Sequence, residues 1–319
     1  MRSKAKSIDK NGNKSLFDAK RRKKNEDDCR NEWQINAFKR LFVLFIALFI
    51  VYFSNKYTSQ RLIVFASGKE SIRELIRRQR VECSKIDYDS EREKFGDCIP
   101  RTCARLVTDS IVSEEDAKHL LTIAKKGMAI GGSSGSATIL DLHSGALSYE
   151  QSFINIYKLM QINSNYSVFS DLDFQVYERV KNKIHSTIAS QFNLNPETLF
   201  LTHPTFFSRL TAHEPNTVHD EYWHLHVDKH TYRSFHYTSI LYLSTYNEDF
   251  EGGRFVFVDQ NQNVTIEPRT ARVLAFTSGS ENTHYVERVT KGTRYALTVS
   301  FTCDAQQAIQ TSLFGKNTE

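Results

Sequence analysis

The sequence predicts an α+β fold: a double-sheet roll with supporting N-terminal helices packed on one side, preceded by one transmembrane helix. Two observations lead to the roll. Helical periodicity is confined to the first part of the chain, and from Leu199 onward the character changes to short runs of β-branched and aromatic residues. Helices first and six or more strands afterwards suggest a two-sheet roll rather than alternating βα units. A third observation, an apolar run directly behind a basic tail, predicts the membrane segment.

Taken in order, residues 1–40 read as a basic cytosolic tail. They hold thirteen Lys or Arg against six Asp or Glu, and the remainder of the chain holds 29 against 31. The net charge of +5 therefore belongs to the tail. The folded part is nearly neutral and offers nothing that argues for a nucleic-acid groove. Leu41 to Phe53 is an unbroken run of thirteen apolar residues behind Lys39-Arg40. With Lys56 able to snorkel and Tyr57 to Gln60 uncharged, residues 41–60 read as a signal anchor with its positive flank in the cytosol. A long basic leader and bulky Val51-Tyr52-Phe53 disfavour a cleaved signal peptide. The expected product is a single-pass type II protein of the endoplasmic reticulum or Golgi, its C-terminal domain luminal.

Residues 61–96 read as a stem. Lys69 to Glu82 is Arg-rich with helical composition, and Ile72, Leu75 and Ile76 give it one narrow apolar stripe. That suits a solvated spacer; self-association through it is open but unsupported. Cys29 falls in the tail, whereas Cys83, Cys98, Cys103 and Cys303 fall beyond the anchor. Four such cysteines allow two disulfides in three connectivities, and the absence of Cys-x-x-Cys spacing disfavours zinc. Asn165-Tyr-Ser167 and Asn263-Val-Thr265 are candidate glycosylation sites on the same side.

Residues 97–319 form the expected luminal domain, with the β-roll core at about 199–303. Ser113 followed by Asp116 starts a helix whose face carries Ala117, Leu120, Leu121 and Ala124 as far as Gly127. Gly131 to Ser136 is a loop without the spacing or the lysine of a phosphate loop. Ser148 to Gln161 and Asp171 to Phe192 read as further amphipathic helices, the second with Phe174, Tyr177, Val180, Ile184 and Ile188 on one face. Strands are expected at 200–210, 237–246, 254–259, 272–277, 284–289 and 295–302, separated by Gly252-Gly253, Ser278-Gly279 and Lys291-Gly292.

The chemistry centres on His226-Val-Asp228. Side chains two apart on an extended stretch leave the same face, so an imidazole and a carboxylate converge there. That is two thirds of a facial triad, the arrangement that holds non-haem Fe(II) and leaves the opposite positions open. His284, opening a later strand, is the candidate third ligand. Arg294 stands ten residues beyond it, inside Gly292-Thr-Arg-Tyr-Ala-Leu-Thr-Val-Ser-Phe301. A guanidinium on a buried strand needs an anion, and it grips a carboxylate with two parallel hydrogen bonds. Thr238, Ile240 and Tyr242 alternate on one strand face and border the same cavity if that face is inward. His219-Asp-Glu221 is a competing His-x-acid pair, and a salt bridge is the competing role for Arg294.

His226-x-Asp228, Thr238-x-x-x-Tyr242-Leu243, Glu251-Gly-Gly253, His284 and Arg294-Tyr-Ala-x-Thr-Val together resemble the 2-oxoglutarate- and Fe(II)-dependent oxygenases of the prolyl 4-hydroxylase type. The resemblance implies a double-stranded β-helix (jelly roll) with Fe(II) on His226, Asp228 and His284. It implies 2-oxoglutarate as cosubstrate, its far carboxylate on Arg294, with Thr238 and Tyr242 lining its pocket. Dioxygen and ascorbate complete the expected cofactors. The implied reaction is hydroxylation of a protein or peptide side chain in the secretory lumen, prolyl first and lysyl second. The competing function is a degenerate roll that serves as a membrane-anchored binding module; loss of a ligand or of Arg294 would mark it.

Overall fold

The strand-rich half of the chain folds as two facing sheets because its residues alternate between two apolar environments. The computed structural model describes residues 36–52, 61–162, 167–217, 220–260 and 262–309. The chain divides into two units, residues 1–60 and 61–319. In the first, residues 36–52 form one helix, α1, with Leu41, Phe42, Phe45 and Leu48 exposed. Among the described residues no helix is long and apolar enough to cross a membrane. Residues 53–60 of the expected anchor, and the tail before residue 36, lie outside the described residues.

In the second unit the smaller sheet has the order β1 (Arg61–Ala66), β11 (Gln262–Ile266), β10 (Phe255–Val258), β13 (His284–Val286). The larger sheet runs β2 (Arg77–Val81), β3 (Cys103–Thr108), β12 (Val273–Thr277), β8 (Tyr237–Tyr242), β14 (Val289–Thr302), β7 (Phe200–Thr211) and β4 (Ala137–Leu140). It ends in β5 (Ala146–Tyr149) and β6 (Ser152–Asn155), and β9 (Phe250–Gly252) pairs with the start of β14. β1 and β11 are parallel; the other pairs named here are antiparallel.

Two long helices cover the larger sheet. α4 (Glu114–Met128) starts at Ser113, whose side chain accepts from the Asp116 amide at 3.0 Å. α6 (Asp171–Phe192) starts on a capping box of Ser170 and Asp173 and stops at Asn193, which adopts the left-handed conformation. The shorter α2 (Lys85–Tyr88), α3 (Arg92–Phe95), α5 (Ile156–Ile162) and α7 (Asp228–Thr231) complete the described α-helices of this unit. On β8, Tyr237 and Leu241 join the cluster beneath α4 and α6, whereas Ile240 and Tyr242 join the cluster between the sheets. On β14, Leu297, Val299 and Phe301 face the helices, whereas Ala296 faces the opposite sheet. Period-two alternation on these strands thus gives one face to structure and the other to a cavity.

Three expectations need correction, one being that Lys291-Gly292 separates no strands but lies within β14 and pairs with β9. Residues 61–96 are no spacer: β1 pairs with β11, β2 pairs with β3, and the unit begins at Arg61. The Arg-rich stretch has no helix because tertiary partners take its side chains. Arg78 donates to the Gln191 carbonyl at 2.6 Å and lies over the Phe192 ring, and Arg77 pairs with Glu70 at 2.7 Å. A charged strand also suits the edge of a sheet. The helix expected over 148–161 begins only at Ile156, because Ala146 to Asn155 forms a hairpin turning through Glu150 at φ 50°.

Cysteine pairing is Cys83–Cys103 and Cys98–Cys303. The first ties the end of β2 to the start of β3, and the second ties the segment between them to the end of β14. Two disulfides suggest an oxidising compartment for this unit. Of the sequons, Asn165 lies outside the described residues. Asn263 sits on β11 between β1 and β10, its side-chain oxygen buried, and Thr265 is fully buried.

Candidate metal centre

Backbone pairing brings the three expected ligands together. His226 and His284 form an isolated antiparallel bridge, exchanging N–H to carbonyl bonds of 2.9 and 3.0 Å. Their rings meet at 4.3 Å between centroids. Asp228 opens α7 rather than continuing the strand, so the turn of that helix aims its carboxylate back at the pair. His226 Nε2 lies 3.7 Å and His284 Nε2 3.5 Å from Asp228 Oδ1. One ligand atom from each of the three lies within 4.8 Å of the others.

Both imidazoles are held in the tautomer that a metal requires. His226 Nδ1 lies 2.8 Å from the His224 carbonyl, and His284 Nδ1 lies 2.7 Å from the Asn282 carbonyl. A carbonyl only accepts, so each Nδ1 carries a proton, and in the neutral ring the lone pair falls on Nε2, facing the centre. Burial pushes the His284 imidazole down to about 4, with Asp228 opposing, so it is neutral near pH 7. The two ligands differ in access: the His226 side chain is 39% exposed and that of His284 4%. Phe255 stacks on His284 at 4.6 Å.

The Asp228 carboxylate is fixed from behind. Thr238 Oγ1 donates to Asp228 Oδ2 at 2.7 Å and lies 2.9 Å from Ser278 Oγ. With the Thr238 proton committed to the carboxylate, Ser278 is the donor of the second bond. Thr238 thus reaches a ligand carboxylate as well as bordering the cavity.

A cavity of about 570 Å³ joins this centre to Arg294. Its walls include Phe206, Ser208, Tyr222, Ile240 and Ala296. Arg294 is buried, and its Nε finds no hydrogen-bond partner among the described residues; nor does the Tyr242 hydroxyl. The guanidinium carbon lies 5.3 Å from the Tyr242 ring centroid. Burial lowers the Arg294 pKa and raises that of Tyr242 to about 12, Arg294 opposing. A buried guanidinium left this way costs several kcal/mol (~), which an anion would offset. The donor set and this buried cation, with no ion pair among the described residues, fit a divalent iron with an anionic cosubstrate beside it. The Gly252-Gly253 turn makes the approach possible. Both residues have positive φ, and a Cβ on Gly253 would come within 3.1 Å of Arg294 Cδ.

The other histidines near the centre have separate tasks. His230 pairs with Asp87 at 2.9 Å, and buried His236 pairs with Glu91 at 2.9 Å. His224 borders the cavity and lies 3.2 Å from Glu221. His219 lies outside the described residues. Trp223 packs under Arg288, whose guanidinium carbon is 4.5 Å from a ring centroid of the indole, while Tyr222 turns inward. Sequence reasoning missed Ser278 and Asn282. Neither carries a motif, and proximity to His284 was the one available signal.

The 2OG-Fe(II) oxygenase superfamily matches residues 210–302. The mouse (Mus musculus) 2-oxoglutarate and iron-dependent oxygenase domain-containing protein 3 is 53% identical over 230 residues, covering 72% of each chain. The chain belongs to this superfamily. It is a 2OG-Fe(II) dioxygenase with its candidate iron site at His226, Asp228 and His284. Human (Homo sapiens) prolyl 3-hydroxylase 2 is 27% identical over 221 residues, covering 63% of this oxygenase and 30% of its own length. Among solved structures, a prolyl hydroxylase from Trichoplax adhaerens in complex with a hypoxia inducible factor peptide fragment covers 71% of this chain and 92% of its own. That similarity has a TM-score of 0.44 at 13% identity.

Proposed function

We propose that this dioxygenase hydroxylates a side chain of a protein or peptide in the secretory lumen, prolyl ahead of lysyl. One observation carries the reading: a three-ligand metal face and a buried guanidinium without an anion share one cavity. Fe(II) would be held by His226, Asp228 and His284, and the far carboxylate of 2-oxoglutarate by Arg294 beside Tyr242. Bound iron and cosubstrate supply the activation of O2, with oxidation of 2-oxoglutarate to succinate and CO2.

The chain's own part is binding and orientation. The carbonyls of His224 and Asn282 hold two protons on Nδ1, and Thr238 holds the outer oxygen of Asp228. Ile139, Phe206 and Leu210 give the cavity apolar walls that limit water. A prolyl ring needs no counter-charge there. A lysyl ammonium needs one, and among the described residues Glu221 is the only lining carboxylate besides Asp228. The name of the human relative, prolyl 3-hydroxylase 2, points the same way. Ascorbate is the proposed supporting reductant. The proposed setting is a type II anchor at 41–60 with the folded unit luminal, and glycan acceptors at Asn165 and Asn263.

The test is succinate release from 2-oxoglutarate by the full chain with Fe(II) and ascorbate, beside the His226→Ala variant. Turnover that disappears in the variant supports the assignment; equal turnover in both moves the iron elsewhere. If neither turns over and neither iron nor 2-oxoglutarate binds, the domain is a binding module.

A further inference from the structure

The largest fully buried side chain near the centre belongs to Arg105 on β3, far upstream of any ligand. Its guanidinium is shared among several partners around His284. Nε donates to Asn282 Oδ1 at 2.7 Å, and Nη2 donates to the Glu281 carbonyl at 3.1 Å. Nη1 and Nη2 grip Asp259 at 2.9 and 2.6 Å, and Nη1 also reaches Gln79 at 3.3 Å. The same group lies 4.1 Å from the centroid of the Phe257 ring. That ring is 6.1 Å from the His284 imidazole.

Asn282 links this arginine to the metal ligand. Its side-chain oxygen accepts from Arg105, and its Nδ2 donates to the Thr277 carbonyl and hydroxyl at 2.8 and 3.0 Å. Its own main-chain carbonyl accepts the Nδ1 proton of His284 at 2.7 Å. Where that carbonyl points decides which way the His284 ring faces. The Asn282 side chain is held at both ends, so the carbonyl has little freedom to rotate.

We infer that Arg105 is a positioning residue for the iron site: through Asn282 and the Glu281 carbonyl it fixes the loop that aims His284 Nε2 at the metal. This rests on the assignment of His284 as an iron ligand. A planar fork is required, because three directions must be served at once by one group, and a lysine ammonium cannot reproduce them. Arg105 does not line the cavity proposed for iron and cosubstrate. Its loss therefore acts on metal affinity and leaves the Arg294 end of the cavity unchanged.

The test uses the full chain with Mn(II) as a redox-stable probe, its binding read by electron paramagnetic resonance. Arg105→Lys raises the Mn(II) dissociation constant about tenfold or more, the range expected for a group supporting a ligand histidine. The 2-oxoglutarate affinity at saturating Mn(II) stays within about twofold. Asn282→Ala gives the same pattern, and combining the two adds little, since both act along one path. An unchanged Mn(II) affinity in folded Arg105→Lys overturns the inference, whatever happens to the melting temperature. So does an equal loss in Arg272→Lys, a substitution at another fully buried arginine away from the site. If Arg105→Lys fails to fold, Asp259→Asn at the 27% exposed end of the network replaces it. It must then weaken Mn(II), and an unchanged affinity again refutes the proposal. His284→Ala separates the two layers of argument. Retained Mn(II) binding there defeats the ligand assignment itself, whereas lost binding with a normal Arg105→Lys defeats only the inference.

Discussion

Arg272 and Arg294 are both buried cations, and their surroundings differ completely. Arg272 donates to both oxygens of Asp109, at 2.8 and 3.0 Å. It also donates to the carbonyls of Ser67, Glu267 and Glu70, each at 2.9 Å. All five of its N–H groups are committed, and it stitches the segment after β1 to the larger sheet. Arg294 has an aromatic ring beside it, a cavity in front of it and a buried Nε with no partner. A guanidinium that the fold satisfies is there for the fold. One that the fold buries beside a cavity, with its Nε unpaired among the described residues, suits the proposed anion.

The largest expected effect falls on the open side of this comparison. Asp228→Ala removes the carboxylate shared by both histidines, so 2-oxoglutarate turnover drops to background while the melting temperature moves little. Turnover near the wild-type rate would separate the cavity from the chemistry. Next comes the saturated side. Arg272→Met leaves Asp109 buried without its cationic partner and costs about 3–5 kcal/mol in a denaturant titration. A loss under about 1 kcal/mol would show that this network does not hold the fold.

Arg294→Ala reverses the pattern. It raises the half-saturating 2-oxoglutarate concentration about 10–100-fold, as removal of charge-assisted bonds predicts, with iron affinity and stability nearly unchanged. Destabilisation comparable to that of Arg272→Met would erase the distinction. The smallest effect is in the pH dependence. The folded-state pKa of His284 is depressed to about 4, and that of His143 likewise, so between there and the unfolded value near 6.5 the unfolded chain binds more protons. Stability of the metal-free protein therefore falls as pH drops through that window, His284 contributing about 1.4 kcal/mol per unit at most. Thermal melts of His284→Ala should show a shallower fall; an identical profile would remove His284 from the list of buried neutral groups.

Much of the site was legible before the fold was known. His226 and Asp228 stand two residues apart in sequence, and Arg294 stands out because a cation on an apolar alternating strand needs a reason. Thr238 and Tyr242 followed from the two-residue period of β8. The stem was misread because Arg77-Arg-Gln-Arg-Val81 has helical composition, while its strand state comes from pairing with β3. The hairpin of β5 and β6 was misread because its residues also fit a helical stripe over a short window. Arg105 carried no signal and Asn282 only its proximity to His284, since a hydrogen-bond network joining residues so far apart exists only once β3 and β12 are paired.

The sequence by itself determined which residues alternate on the strands from residue 200 onward, which residues can bind a metal or an anion, and which cysteines can cross-link. These depend on residue type and on the fixed two-residue period of an extended backbone. Tertiary structure alone decided that His284 meets His226 across a bridge, that Asp228 turns inward at the start of a helix, and that Arg294 keeps a buried Nε without a partner among the described residues while Arg272 is saturated. Those outcomes depend on which strands pair and in what register. Pairing is set by burying two apolar faces at once, and no local window of sequence contains both.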